Sequence, residues 1–173
     1  METTGVVRKI DELGRIVVPK EIRKTLGIKT GQSIEMYIDK DKVVLKKFSS
    51  MNSSIELARI YVETLYRTSK NLMIITDNDT IIAIPSHKHR DFLNEPISDD
   101  LVEFLKGKRT IKDNRKIRIT ENKTISGNYI ITKIIANGEV LGLVILISDK
   151  ELDNKDETLT QLTAELLSKK IED

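Results

Sequence analysis

The segment 5–28, GVVRKIDELGRIVVPKEIRKTLGI, limits the possible folds more than any other part of the chain. Two runs rich in β-branched residues, 5–11 and 15–19, read as strands around the turn Asp11-Glu12-Leu13-Gly14, where Gly14 supplies a positive φ. Pro19 pre-sets φ for a helix start, and Lys20 to Leu26 form a short helix that stops at Gly27. Ile22 and Leu26 share one face of it, while Lys20, Arg23 and Lys24 gather on the other. A second strand pair follows, 33–39 and 42–48, turning through Asp39-Lys40-Asp41. Roughly fifty residues of this kind bury too little surface to stand alone. Disulfides and thiolate metal sites are ruled out, because the chain has no cysteine. Pairing with a second copy is the remaining remedy, so the pattern predicts an obligate, interleaved dimer.

Charge separates this head from the rest. Residues 1–50 carry 11 Lys and Arg against 7 Asp and Glu, a net of +4; the remainder carries 18 against 20, a net of −2. A basic head on a mildly acidic body directs any polyanion to the head. No apolar run approaches the roughly 18 residues of a bilayer span and no signal-peptide core opens the chain, so a cytoplasmic location is expected.

The serine-rich stretch 48–54 marks a boundary, giving domains at 1–50 and 56–173 with a linker at 51–55. Ser53 or Ser54 caps a helix over 55–69 whose apolar side is Ala58, Tyr61, Val62, Leu65 and Tyr66. Residues 72–77 and 80–84 form a hairpin through Asn78-Asp79; 86–96 is loop, and Ser98 caps a helix reaching Lys106. Residues 116–120 alternate as a strand, and 129–136 with 140–148 flank Asn137-Gly138, the strongest hairpin signal in the chain. A last helix, 156–171, turns Leu159, Leu162, Leu166 and Ile171 inward. This order predicts an α+β domain, an antiparallel sheet with helices packed on one face. The helices 55–69 and 156–171 either pack on each other or form an interface with a second chain.

With these residues in view, the segment 5–48, ending VVLKKF, resembles the AbrB-type swapped-hairpin DNA-binding domain, a β-rich dimerisation unit. The region after it, with NYIITKIIANGEVLGLVIL, is similar to the GAF-type domain that trails this head in sporulation regulators. The resemblance implies a transcriptional regulator of sporulation, activator or repressor, bound to double-stranded promoter DNA and associated with the nucleoid. It places the contacts on Arg8, Arg15, Arg23 and Lys24, with Lys9 beside them. At Lys24 the family pattern has Arg; a lysine lacks the planar fork for base edges but keeps a phosphate contact. Phosphates supply most of the affinity and groove shape contributes to selectivity, so AT-rich, loosely defined sites are expected. The resemblance further implies a homodimer through the head, a homotetramer held together by the GAF-like half, and a small-molecule effector acting there.

Other readings stand beside this one. Without the resemblance, Arg8, Lys9 and Arg15 are the solvated edge of a hairpin, and Lys20, Arg23 and Lys24 a solvated helix face. Asp11 is placed to orient arginines, and Glu21 to favour the helix dipole. An antitoxin-type autoregulator uses the same head with a short flexible tail; the long patterned tail here argues against it. His87 and His89 form an H-x-H pair, but Lys88 and Arg90 repel a cation and no third ligand suggests itself. Lys108, Arg109, Arg115, Lys116 and Arg118 are an anion-binding rim or solvated charges. No acid–base constellation, cofactor motif or phosphate-cradling glycine loop is present, so neither an enzyme nor a cofactor is expected.

Overall fold

The computed structural model describes residues 5–28, 30–86 and 89–172. It divides into two compact units between Phe48 and Ser49.

In the head, residues 5–11 and 15–19 form two arms about the turn 12–14 and are not paired into strands. Their link is at the tip, where the Asp11 amide donates to the Arg15 carbonyl and the Gly14 amide to the Asp11 carbonyl. This corrects the strands expected at 5–11 and 15–19. Among the described residues nothing packs on these arms, which are exposed from 5 to 17, so no burial supports a ladder beyond the turn. Helix α1 (Lys20–Thr25) follows, and strands β1 (Ile34–Asp39) and β2 (Lys42–Lys47) pair antiparallel from Ile34 opposite Lys47 to Asp39 opposite Lys42. Pro19 occupies the N-cap of α1 with ψ 148°, one position before the helical turn. It is the one buried residue among those described from 5 to 48.

In the body, the segment expected as a linker is part of the fold. Residues Ser50–Ser54 make a turn of 3-10 helix in which Met51 and Ser54 are buried, because Met51 joins the apolar core. Helix α2 (Ile55–Ser69) leads to β3 (Leu72–Asp77), β4 (Ile81–Ala83), α3 (Asp99–Lys106), β5 (Thr110–Asp113), β6 (Ile117–Thr120), β7 (Lys123–Ile125), β8 (Asn128–Ala136), β9 (Glu139–Ser148) and α4 (Asn154–Glu172). Five strands form one antiparallel sheet in the order β4-β3-β9-β8-β5, and β6 and β7 form a separate hairpin. The tight turn at Asn137-Gly138 has φ of 51° and 78°, as a two-residue hairpin requires.

Two apolar layers lie on opposite faces of the sheet, following the period-two alternation of its strands. Ala58, Val62 and Leu65 of α2 and Ala164 and Leu167 of α4 cover Met73, Ile75, Ile130, Val144 and Leu146. Leu101 of α3 with Phe92, Ile97, Ile117 and Ile119 covers Ile74, Tyr129, Ile131, Leu143 and Ile145. Helices therefore sit on both faces, not on one as expected. The central strands β3, β8 and β9 are apolar on both sides and need two covers.

Helix α4 also departs from expectation. Leu162 and Leu166 face solvent, while Thr160, Thr163, Ala164, Leu167 and Ser168 are buried. The hydroxyls of Thr160, Thr163 and Ser168 each donate to the carbonyl four residues back, so burying them leaves no polar group unpaired. Small side chains then let the helix approach the sheet closely.

Candidate nucleic-acid interface

The tip of the extended arms is organised by one carboxylate. Asp11 Oδ1 accepts from the backbone amides of Leu13 at 3.0 Å and Arg15 at 2.8 Å. Its Oδ2 accepts from Arg15 Nε at 2.7 Å. An aspartate bonding its own backbone two residues on is an Asx-turn, and Gly14 at φ 76° completes the reversal. The two backbone bonds and the guanidinium, the Arg15 amide foremost, hold the Asp11 carboxyl below the usual aspartate range. The expectation that Asp11 orients an arginine is met at Arg15.

The other cations lie on either side of this tip. Arg8 and Lys9 are exposed on the first arm, and Arg8 Nη1 donates to the neighbouring Val7 carbonyl at 3.4 Å. Arg23 and Lys24 occupy the last turn of α1, where a positive charge complements the carbonyl end of the helix. That end is fixed by a Schellman motif: the Gly27 amide donates to Lys24 and the Ile28 amide to Arg23. Gly27, at φ 60°, adopts the left-handed conformation the motif needs. Lys24 is exposed and Arg23 half-buried; Arg23 Nε is shielded from solvent without a hydrogen-bond partner among the described residues. The fold thus joins Arg23 and Lys24 on one helical turn and Arg15 to Asp11, and leaves Arg8 and Lys9 on an arm.

The body holds a cleft of about 380 Å³ lined by Asp100, Glu103, Phe104, Ile111, Arg115 and Tyr129, among others. Arg115 and Lys116 of the charged set 108–118 line it, and none of the described residues of the loop 86–96 does. Burial, and then the Asp113 carboxylate, raise the Tyr129 hydroxyl above the usual phenol value. Three of the expected rim arginines are committed to carboxylates: Arg109 to Glu165 at 3.1 Å, Arg115 to Asp113 at 2.5 Å, and Arg118 to Asp100 at 2.9 Å. His87 lies outside the described residues, and the His89 ring stands edge-on to Phe92 at 5.1 Å. Among the described residues no three metal-ligating side chains converge, and no helix is long and apolar enough to cross a membrane.

Residues 54–172 match the family described as stage V sporulation protein T C-terminal, transcription factor. Residues 7–51 match the family described as antidote-toxin recognition MazE, bacterial antitoxin. Stage V sporulation protein T of Bacillus subtilis (strain 168) is 32% identical over 99% of both chains. The transition state regulatory protein AbrB of the same organism is 54% identical over 28% of this chain and 50% of its own. The phycocyanobilin-bound GAF domain of a cyanobacterial phytochrome covers 68% of this chain and 84% of its own at a TM-score of 0.50, with 12% identity. That likeness identifies a GAF-type fold in the body. Matched along its whole length by one relative and over most of its length by the C-terminal family, the chain belongs to the stage V sporulation protein T family of transcription factors.

Proposed function

We infer that this chain is a DNA-binding transcriptional regulator of sporulation whose head contacts promoter duplexes through Arg8, Lys9, Arg15, Arg23 and Lys24. One observation carries the reading. A basic head, with a net charge of +4 over residues 1–50, leaves Val7, Ile10, Leu13, Val17, Met36, Ile38 and Val43 in solvent. Surface of that extent on a water-soluble unit marks an interface. A second copy covers it, the arms of each chain pair with the other, and two sets of cations reach one duplex. Phosphate contacts then dominate affinity.

The body joins such dimers into a tetramer. Ile60 of α2 and Leu162 and Leu166 of α4 are its exposed large apolar side chains, and they supply the contact. Linked heads gain affinity through effective concentration. An effector in the cleft beside Tyr129 would act by altering the relation between heads. The antitoxin reading accounts for the head but gives no role to a body with two complete apolar layers.

The test is fluorescence anisotropy of the full chain with promoter duplexes across a salt series. Six phosphate contacts predict a loss of about 1,000-fold between 50 and 200 mM salt. Arg15→Ala and Arg23→Ala each remove most of the binding while thermal unfolding stays nearly unchanged. A flat salt response, or variants that bind like the parent, would refute the reading.

A further inference from the structure

We propose that Asp11 sets the sequence discrimination of the head by holding Arg15 as an oriented fork toward the duplex. The proposal rests on the reading that Arg15 contacts DNA. Its basis is how the turn spends the donors of one guanidinium. Asp11 Oδ2 takes Arg15 Nε at 2.7 Å. Nη1 and Nη2 have no partner among the described residues, and the side chain is 72% exposed. An arginine reads guanine by presenting two parallel N–H groups to O6 and N7 in the major groove. Arginine side chains are otherwise free to rotate, and that freedom is lost on binding. Here the loss is reduced beforehand, because the carboxylate grips the nitrogen that a base does not need.

Asp11 is itself fixed. Oδ1 is occupied by the amides of Leu13 and Arg15, so the carboxylate cannot swing away without opening the turn. The Arg15 amide and its guanidinium thus meet the two oxygens of one carboxylate, which ties side-chain direction to backbone geometry. The same negative charge acts against indiscriminate phosphate binding. A phosphate gains less from a guanidinium already beside a carboxylate, whereas a base edge still receives its two donors. Asp11 is therefore a positioning residue: it lowers general affinity while favouring one base at one position.

The experiment compares full-length variants on two duplexes of equal length. One is selected by the parent chain from a random pool; the other is a scramble of it. Asp11→Asn keeps an oxygen for the backbone amides but loses the charged grip on Nε. Its ratio of selected to scrambled affinity is expected to fall about 5- to 20-fold, within the range of one bidentate base contact. Its affinity for the scramble should hold or rise. Arg15→Lys keeps the backbone turn and the positive charge but removes the fork. It should lose the same discrimination, and adding Asp11→Asn to it should lower the ratio no further. An unchanged ratio in either single variant, or a further fall in the double variant, would overturn the proposal. Arg15→Ala separates the two levels of the argument. If it binds both duplexes like the parent, the contact itself is wrong; if it loses binding while Asp11→Asn keeps its ratio, only the role of Asp11 fails.

Discussion

Ile145 in β9 is wholly buried in one of the body's two apolar layers, whereas Ile38 in β1 is 80% exposed although its strand is paired as regularly. The body completes its fold within one chain, with covers for both faces of its sheet. The head makes local structure (a capped turn, a Schellman-terminated helix, a hairpin) and stops short of a core. Backbone hydrogen bonds alone thus give shape without burial. In the proposed dimer the head borrows its core from a second copy, which would tie its folding to assembly and bring the cations together.

The largest expected contrast comes from glycine. At Gly142 a Cβ would overlap the Thr76 carbonyl oxygen of the adjacent strand, while at Gly14 it meets open space and only a φ of 76° resists it. Gly142→Ala should destabilise the body by more than about 3 kcal/mol, beyond ordinary overpacking. Gly14→Ala should cost the head roughly 1–2 kcal/mol, the left-handed penalty for an L-residue. Urea unfolding of the two variants checks the order. Equal effects would mean that the β3–β9 approach yields easily.

Truncating the two isoleucines tests the proposed dimer directly. Ile145→Ala should cost about 2–5 kcal/mol, as buried truncations do. An 80% exposed Ile38 in a lone chain predicts a change within about 0.5 kcal/mol. If a second copy covers it, Ile38→Ala costs at least about 1 kcal/mol and the unfolding midpoint falls on dilution. Chemical unfolding at two protein concentrations distinguishes these outcomes, and a small, concentration-independent effect would break the proposed dimer. A subtler contrast concerns the body's own exposed residues. Leu162→Glu with Leu166→Glu should halve the assembled mass in sedimentation, and at protein concentrations low enough to dissociate the parent it should leave the unfolding free energy within about 0.5 kcal/mol. An unchanged mass would place the tetramer contact elsewhere.

Local chemistry was the part of this molecule that its sequence announced. Asn137-Gly138 and the Ser98 cap, whose Oγ accepts from the Leu101 amide, depend on residues within a few positions of each other. Strand β5 did not show itself in Thr110-Ile111-Lys112-Asp113, because its pairing partner β8 lies some twenty residues downstream and it sits at the sheet edge. The leucines of α4 misled because hydrophobicity alone assigns them inward, while hydroxyls bonded to their own helix were the better neighbours for the sheet. The arms 5–11 and 15–19 have strand composition without strand pairing, because composition records the preference of a segment and not whether a partner strand lies beside it. In the candidate site, the cations and the Asp11 turn were legible. That Asp11 grips Nε and leaves the rest of the guanidinium outward depends on side-chain geometry, which no spacing encodes.

The smallest effect distinguishes two carboxylates that look alike. Asp11 in the head and Asp113 in the body each hold an arginine, and both titrate below the ordinary aspartate value. Their causes differ in order. For Asp11 the Arg15 backbone amide comes first, and the Arg15 side chain second. For Asp113 the Arg115 side chain comes first. A depressed folded value means the ionised form is favoured by folding. The resulting stability is present above the unfolded pKa and is lost as pH falls through the folded one. Arg15→Ala should therefore leave Asp11 still depressed, because the amides of residues 13 and 15 remain. Arg115→Ala should raise Asp113 toward the ordinary value, leaving the backbone amides of residues 114 and 115 to hold it down. Carboxylate carbon shifts followed by NMR from neutral to strongly acidic pH read both sites in one sample. If Asp11 relaxes as far as Asp113, the side chain rather than the turn sets its charge. The Asx-turn would then be a consequence of the ion pair instead of its support.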